Sequence, residues 1–574
     1  MNQFDHISSS ATQDDEGQYD YIIVGGGSAG CVLAARLSEN PSLRILLLEA
    51  GQDVRPGAEP KDILSIHADS AFNPAYRWAL PAAHTKQDAH TSAAHQARVL
   101  GGGSSLMGML SLRGVPDDYD EWARSGARNW SWQDVLPWFR KLEADRQYAG
   151  ALHGSDGPVS ILRNPPERWP PLARAFQAYA VRRGFPFTGD MNGEFNDGLF
   201  PLPLAQTLEH RQSSSICYLT AQVRARPNLR IVCGAEVVRL IAEGRKIVGV
   251  LALRSGQHVR FRARRELILS AGALLSPVLL MKSGIGHPTE LRSLGIEVIA
   301  ESRGVGKALQ NHPMLFLTSF LPKTARDENL DVSSVNTCIR YSSGPGNPAS
   351  DLYILCLNRT ANHPLGLTLA ALQSYLLKPR SVGSVELRRH GSSAAPFVDF
   401  NLLSDPSDLK RTVRVLRDMA ALALSPELKA LNAHFFAVNF SARLRRLNQP
   451  TAFNMAASRI AAGLLDLFPP SRILLERIMP AGPRAEELSR ADDDRLAEIA
   501  MRYVGASGHH TSTCRMGADD DPMAVVDVSG RVKGVDGLRV IDASIMPQIP
   551  RGNTNLPTLM LAEKLASAIA SEIS

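Results

Sequence analysis

Residues 19–51 read YDYIIVGGGSAGCVLAARLSENPSLRILLLEAG, and this stretch decides the fold. Tyr19 to Val24 has the composition of a strand buried on both faces. Gly25, Gly27 and Gly30 follow as GxGxxG. From Ala29 to Leu37 small and apolar residues recur at helical spacing. A second apolar run, Arg44 to Leu48, ends at Glu49, Ala50 and Gly51. Each part has a physical task. Gly25 permits the tight turn, Gly27 lets backbone approach a pyrophosphate, and Gly30 lets helix pack on strand. Ser28 and Ala29 open a helix whose N-terminus favours phosphate charge. Glu49 stands where an acidic side chain accepts hydrogen bonds from a ribose. The stretch therefore predicts a dinucleotide site on an α/β Rossmann-like fold, with FAD or NAD still open. Gly304-Val-Gly306-Lys307-Ala308 lacks the spacing and the Ser/Thr of a P-loop, so ATP chemistry has no support.

The rest of the chain sets bounds. Its 574 residues exceed one ordinary core and imply interleaved domains. Hydrophobic residues at 44% and charged ones at 21% mark a globular chain. No apolar run nears the ~18 residues of a spanning helix. Met1 to Asp20 is polar and acidic, unlike a signal peptide, so the expectation is a disordered tail over 1–18 and a cytoplasmic protein. The formal charge of +6 is spread over 63 basic and 57 acidic residues and reads as a mixed solvated surface. No basic tract interleaved with aromatics points to nucleic acid. Six cysteines without a CxxC pair argue for a reducing compartment and against a zinc site or disulfide framework. No metal is expected.

Further blocks follow in order. Arg98-Val99-Leu-Gly101-Gly102-Gly103-Ser104-Ser105 precedes Gly108-Met-Leu-Ser-Leu-Arg113-Gly114 and Asp117-Asp-Tyr-Asp-Glu-Trp122. Gly272 to Gly286, Thr513-Cys-Arg-Met-Gly517, Arg539-Val-Ile-Asp542-Ala543-Ser544 and Gly552-Asn553-Thr-Asn555-Leu-Pro-Thr558 come later. Together, over about residues 19–571, the chain resembles the glucose–methanol–choline (GMC) family of flavin oxidoreductases. The resemblance implies FAD as cofactor. It places Val99, Gly101, Gly102, Ser104, Met107 and Gly108 against the pyrophosphate and flavin, Val237 at the adenine, and Asp542 and Ala543 at the ribityl and pyrophosphate region. It also implies a discontinuous FAD-binding domain over 18–160, 230–310 and 505–574. A substrate domain built on an antiparallel sheet would take 161–229 and 311–504.

The same resemblance makes His509 the catalytic base and Asn555 its partner. The chemistry suits both: a neutral imidazole accepts the hydroxyl proton while the carbinol hydride leaves for flavin N5, and an amide donates to the developing alkoxide. His510 stands where the family commonly has proline. Two readings apply to it, a second polar group in the pocket or a loop cap facing away. Met107 replaces the usual Asn or His beside the flavin and cannot donate a hydrogen bond. Leu106 fills the position of a flavin-linking His, so FAD is expected to be non-covalent. Between about 420 and 480 the chain is longer than the resemblance to the bacterial family implies. Ala456 to Phe468 and Ser471 to Met479, parted by Pro469-Pro470, read as two short amphipathic helices. Packing on the substrate domain is the plain reading; a lid or membrane-surface patch admitting a lipophilic alcohol is the functional one. The expected activity is oxidation of an alcohol, with a dehydrogenase favoured over an oxidase and a quinone, another carrier or oxygen as electron acceptor. A hydroxynitrile-type lyase or a fatty-acid photodecarboxylase on the same fold is the alternative.

Overall fold

The computed structural model describes residues 12–86, 92–327, 329–439, 442–449, 451–468, 476 and 481–573. The opening stretch forms strand Thr12–Val24, helix Ser28–Leu37 and strand Ile45–Glu49. Every residue of Ile45–Glu49 is buried, as a strand covered on both faces requires. Around it lies a seven-stranded sheet. Thr12–Val24 pairs in parallel with Ile45–Glu49 on one side and Gln257–Leu269 on the other. Leu229–Cys233 continues the parallel order beyond Ile45–Glu49, and Leu538–Val540 pairs with Leu267–Leu269. An antiparallel pair, Ala235–Glu243 and Lys246–Arg254, extends the far edge. The helix follows its strand so closely that a Cβ on Gly30 would lie 1.9 Å from the Gly25 carbonyl oxygen. Helix Asn555–Ile573 packs on helix Ser28–Leu37.

An eight-stranded antiparallel sheet stands over this unit. Its path runs Ala481–Arg484, Phe436–Val438, Pro313–Phe320, Leu369–Leu376, Leu352–Leu357, Val335–Tyr341 and Gly198–Pro201. The short strand Gly505–Ala506 pairs with Pro313 and Met314.

Three features depart from the sequence reading. Strand structure begins at Thr12 rather than after 18, because Gln257–Leu269 is long enough to pair with Thr12–Asp14; residues 1–11 of the expected tail lie outside the described residues. Hairpin Arg77–Ala83/Ser92–Ala97, assigned to the FAD domain, joins a four-stranded sheet with Ser384–His390 and Ser393–Asp399 through Val398 and Asp399. Helix Ala452–Leu467 presents Phe453, Ile460, Leu464 and Leu467 on one exposed face, with Leu467 87% exposed. That helix touches the protein by its other side, where Leu465 meets the Phe320–Phe436 cluster and Asp466 pairs with Arg326 at 2.7 Å. The second expected helix falls outside the described residues apart from Glu476. Among the described residues no helix is long and apolar enough to cross a membrane.

Candidate active site

Between the two sheets lies a cavity of about 760 Å³. One end is the glycine-rich cradle. Helix Ser28–Leu37 starts at Gly27 with no side-chain cap, so its first N–H groups open onto the cavity, where phosphate oxygens satisfy them best. The second glycine turn closes directly on the first: Gly102 is left-handed, and a Cβ there would stand 2.8 Å from Gly27 Cα. Ser104 locks this turn by donating to the Gly101 carbonyl at 2.6 Å and accepting from Ser214 N at 2.9 Å. Buried Arg211 donates to the carbonyls of Ser104, Met107 and His67 and holds the loop from below; this role went unread in the sequence. Glu49 accepts from Gly26 N at 2.8 Å and Gly51 N at 2.7 Å, and burial pushes its carboxyl pKa up. Asp542 accepts from Gly272 N, Ser276 Oγ and Ser544 N, with its pKa likewise raised by burial. Gly25, Ser28, Ala29, Val99, Met107, Gly108, Val237 and Ala543 line the same cavity, while Gly30 and Gly101 act behind the wall. A cradle of bare backbone, an uncapped helix start and an acid at the second strand's end fit a dinucleotide cofactor.

At the other end stands His509. Strand Pro313–Phe320 brings it in: Gln310 bridges to Thr511, and Asn311 Oδ1 accepts from Ser507 Oγ at 2.7 Å and from His509 N at 3.1 Å. This places His312 Nδ1 2.9 Å from His509 Nδ1, while His312 Nε2 lies 3.1 Å from the Pro550 carbonyl oxygen. On the far side Asn553 Nδ2 lies 2.9 Å from His509 Nε2. The partner beside His509 is thus Asn553, two residues before the expected Asn555. Asn555 begins the C-terminal helix and accepts from Ser28 Oγ at 2.7 Å, inside the cofactor cradle.

These contacts fix the protons. A carbonyl only accepts, so His312 Nε2 carries hydrogen and its Nδ1 presents a lone pair. His509 Nδ1 must then donate to it, which leaves a lone pair on His509 Nε2. Burial, and next the neighbouring His312, hold the His509 pKa well below the usual imidazole range. Burial likewise lowers His312 to about 3. His509 stacks on Tyr375 with ring centroids 5.8 Å apart. The loop carrying Pro550 and Asn553 is anchored by Arg551, whose N and Nε each donate to Asp118 at 2.8 Å. Burial opposes the Asp118 charge, but Lys378 and Arg551 prevail and lower its pKa. His510 lines the cavity, stacked on Phe400 at 5.4 Å, so it is not a cap facing away. Burial and then His509 hold its pKa down at about 3. Ser512, two residues on, is left-handed at φ 74.

A contrasting imidazole lies outside the cavity. His153 Nδ1 faces Glu143 at 3.2 Å and Asp145 at 3.4 Å, and its Nε2 faces Asp190 at 2.7 Å. Burial works against its charge, yet Asp145, Asp190 and Glu143 prevail and raise its pKa to about 10. These acids also bind Arg163 and Arg113, so cationic side chains already balance their charge.

Comparison with known proteins agrees with this geometry. A family model described as GMC oxidoreductase matches residues 19–314, and its C-terminal counterpart, under the same description, matches 379–562. The chain is 39% identical to the 5-(hydroxymethyl)furfural oxidase of Methylovorus sp. (strain MP688), over 96% of this chain and 99% of that one. It is 32% identical to the oxygen-dependent choline dehydrogenase of Paraburkholderia xenovorans, over 96% and 94%. The crystal structure of pyridoxine 4-oxidase from Mesorbium loti superposes with a TM-score of 0.78 at 27% identity, covering 96% of this chain and 99% of that one. The lyase reading finds no support in these relatives. With both family segments matched and the glycine cradle facing a half-buried imidazole across one cavity, the chain belongs to the GMC oxidoreductase family.

Proposed function

We propose that the protein oxidises an alcohol to the aldehyde or ketone with FAD, and that His509 is the base. The observation that carries this is the proton order Pro550–His312–His509, which leaves His509 Nε2 unprotonated at the cavity wall. Bound FAD supplies the acceptor for the carbinol hydride. Gly25, Gly27, Ser28, Ala29, Gly102 and Ala543 would hold it, with Glu49 and Asp542 setting the backbone around it. His509 takes the hydroxyl proton at Nε2 as C–H cleavage proceeds, the substrate hydroxyl displacing the Asn553 N–H from that lone pair. The Asn553 amide, released from Nε2, donates to the developing alkoxide. The imidazolium then forms over the Tyr375 ring, a favourable place for a cation.

Leu106, buried at the cavity wall, has no atom to bond a flavin, which supports non-covalent FAD. The exposed face of helix Ala452–Leu467 supports peripheral contact with the inner face of a membrane, where a quinone acceptor dissolves. That helix contributes no lining residue to the cavity among the described residues, so it gives no reason for a lipophilic substrate. The similarity to an oxidase favours oxygen as a second reading of the acceptor. Anaerobic mixing with a panel of alcohols, followed at the flavin absorbance, tests the activity. Bleaching is expected, and reoxidation by air or by quinone separates the acceptors. No bleaching by any alcohol overturns the reading.

A further inference from the structure

The eight-stranded sheet roofs the cavity, and its register shows which side chains face a substrate at His509. Gln373 lies level with Phe316 on one neighbouring strand and Leu355 on the other, and Tyr375 lies level with Met314 and Tyr353. Gln373, Tyr375, Phe316, Leu355 and Met314 all line the cavity. Gln373 thus sets an amide between two apolar side chains, and it is only 8% exposed. An amide in such a place is costly unless its hydrogen-bonding atoms are paired. One end is paired: Nε2 donates to the Tyr375 hydroxyl at 2.6 Å and lies 3.0 Å from Met314 Sδ. The other end, Oε1, has no partner among the described residues and opens onto the cavity. Tyr375 meets His509 with its ring and Gln373 with its hydroxyl, so one side chain links the proton-accepting end of the site to this amide.

The two side chains make a defined demand. The Tyr375 hydroxyl, having accepted from the amide, keeps a hydrogen to donate, and Gln373 Oε1 keeps lone pairs to receive one. Turning the amide over exchanges these roles and leaves the same need, a donor and an acceptor side by side. A hydroxyl meets both at once. A carbonyl or an ether meets one of them, and a methyl group neither. Charge does not suit the place. Burial pushes the Tyr375 pKa up, so its phenol stays neutral. The level neighbours Phe316, Leu355 and Met314 are neutral as well, so an ion here would lose its water without gaining a counter-charge.

We propose that Gln373 and Tyr375 form a subsite for a second hydroxyl of the substrate, so that the preferred substrate is a neutral diol with one carbinol at His509 and the other hydroxyl at this pair. The proposal rests on the alcohol-oxidising function and names its substrate class and the residue that selects it.

The test uses the FAD-loaded full chain and two alcohols of similar shape, 1,4-benzenedimethanol and 4-methylbenzyl alcohol, which differ by the far hydroxyl. Counted per carbinol, the diol is expected to give kcat/KM higher by ~10-fold, the scale of a buried polar group paired against one left unpaired. The lead should not shrink as salt rises, because no ion takes part. In Gln373→Met, which keeps the side chain's length, and separately in Tyr375→Phe, which keeps a ring against His509, the ratio between the two alcohols should fall toward one. Equal or better turnover of 4-methylbenzyl alcohol by the parent protein overturns the subsite, whether or not the variants hold FAD. A loss shared equally by both alcohols in Gln373→Met, with the ratio kept, also overturns it and makes Gln373 a prop for Tyr375 alone. Bleaching by other alcohols but not by the diol removes the subsite and leaves the alcohol reading standing. Failure of every alcohol to bleach the flavin counts against the alcohol reading itself, and the subsite falls with it.

Discussion

His153 is buried and His509 half-buried at the cavity wall, and their surroundings set opposite protonation states. His153 is enclosed by Glu143, Asp145 and Asp190, each within 3.4 Å, and both its nitrogens must donate. His509 meets an imidazole, an amide and a tyrosine ring, with no carboxylate in contact. Burial alone favours the neutral ring in both places; three acids reverse it in one and nothing does in the other. Burial by itself therefore does not say what a histidine does. One site holds a charge that pins loops together, and the other keeps a lone pair at the cavity wall, as the proposed base requires.

The sharpest way to break this contrast is to remove each ring. His153→Leu strands three acids around two arginines and should cost about 3–5 kcal/mol of stability. Surviving holoenzyme should reduce its flavin at nearly the normal rate. His509→Ala should do the reverse: FAD retained, but flavin reduction slower by ~10² or more. If His509→Ala reduces as fast as the parent, the base is another residue. Next comes the choice of asparagine. Asn553→Ala should lower the reduction rate by about 10–10², whereas Asn555→Ala should chiefly weaken FAD retention through Ser28. Equal rate losses with equal FAD content would erase the distinction drawn between them.

Melting temperature against pH sharpens the comparison further. The pKa of His153 is raised to about 10, so its stabilisation is complete below the unfolded value of about 6.5 and lost as pH climbs toward 10. The pKa of His312 is lowered to about 3, so its contribution is present above about 6.5 and lost as pH falls toward 3. His153→Gln should flatten the alkaline arm of the profile and His312→Gln the acid arm. By the same logic kcat/KM should hold its plateau as pH falls through about 6.5, because His509 stays neutral there; a half-loss at that pH would show an ordinary exposed imidazole. The smallest effect concerns the strained loop beside the proposed base. Ser512→Gly should relieve its left-handed backbone and add about 1 kcal/mol, read as a higher melting temperature.

The strand–turn–helix over residues 19–51 was legible because glycine spacing and buried strands leave a pattern local in the chain. His509 was reached only by resemblance. The Asn553/Asn555 choice was not legible: both lie in Gly-Asn-Thr-Asn, and which one faces the base depends on where the final helix begins. His312 had no local signal either. It reaches His509 because Gln310 and Thr511 pair across 201 residues of sequence. Arg77 and His95 were assigned to the FAD unit by chain position, while their hairpin is held by a strand pair at Val398 and Asp399. Contacts of this kind are set by tertiary pairing, which periodicity does not record.

The Ser28–Asn555 bond spans 527 residues, and it sits in the wall that receives the cofactor. At about 5–20 residues per second, the first strand and helix wait on the order of half a minute to two minutes for their last neighbours to leave the ribosome. During that interval the face of helix Ser28–Leu37 that packs on helix Asn555–Ile573 has no final partner. The wall that faces the cofactor at Ser28 is therefore completed only in the finished chain.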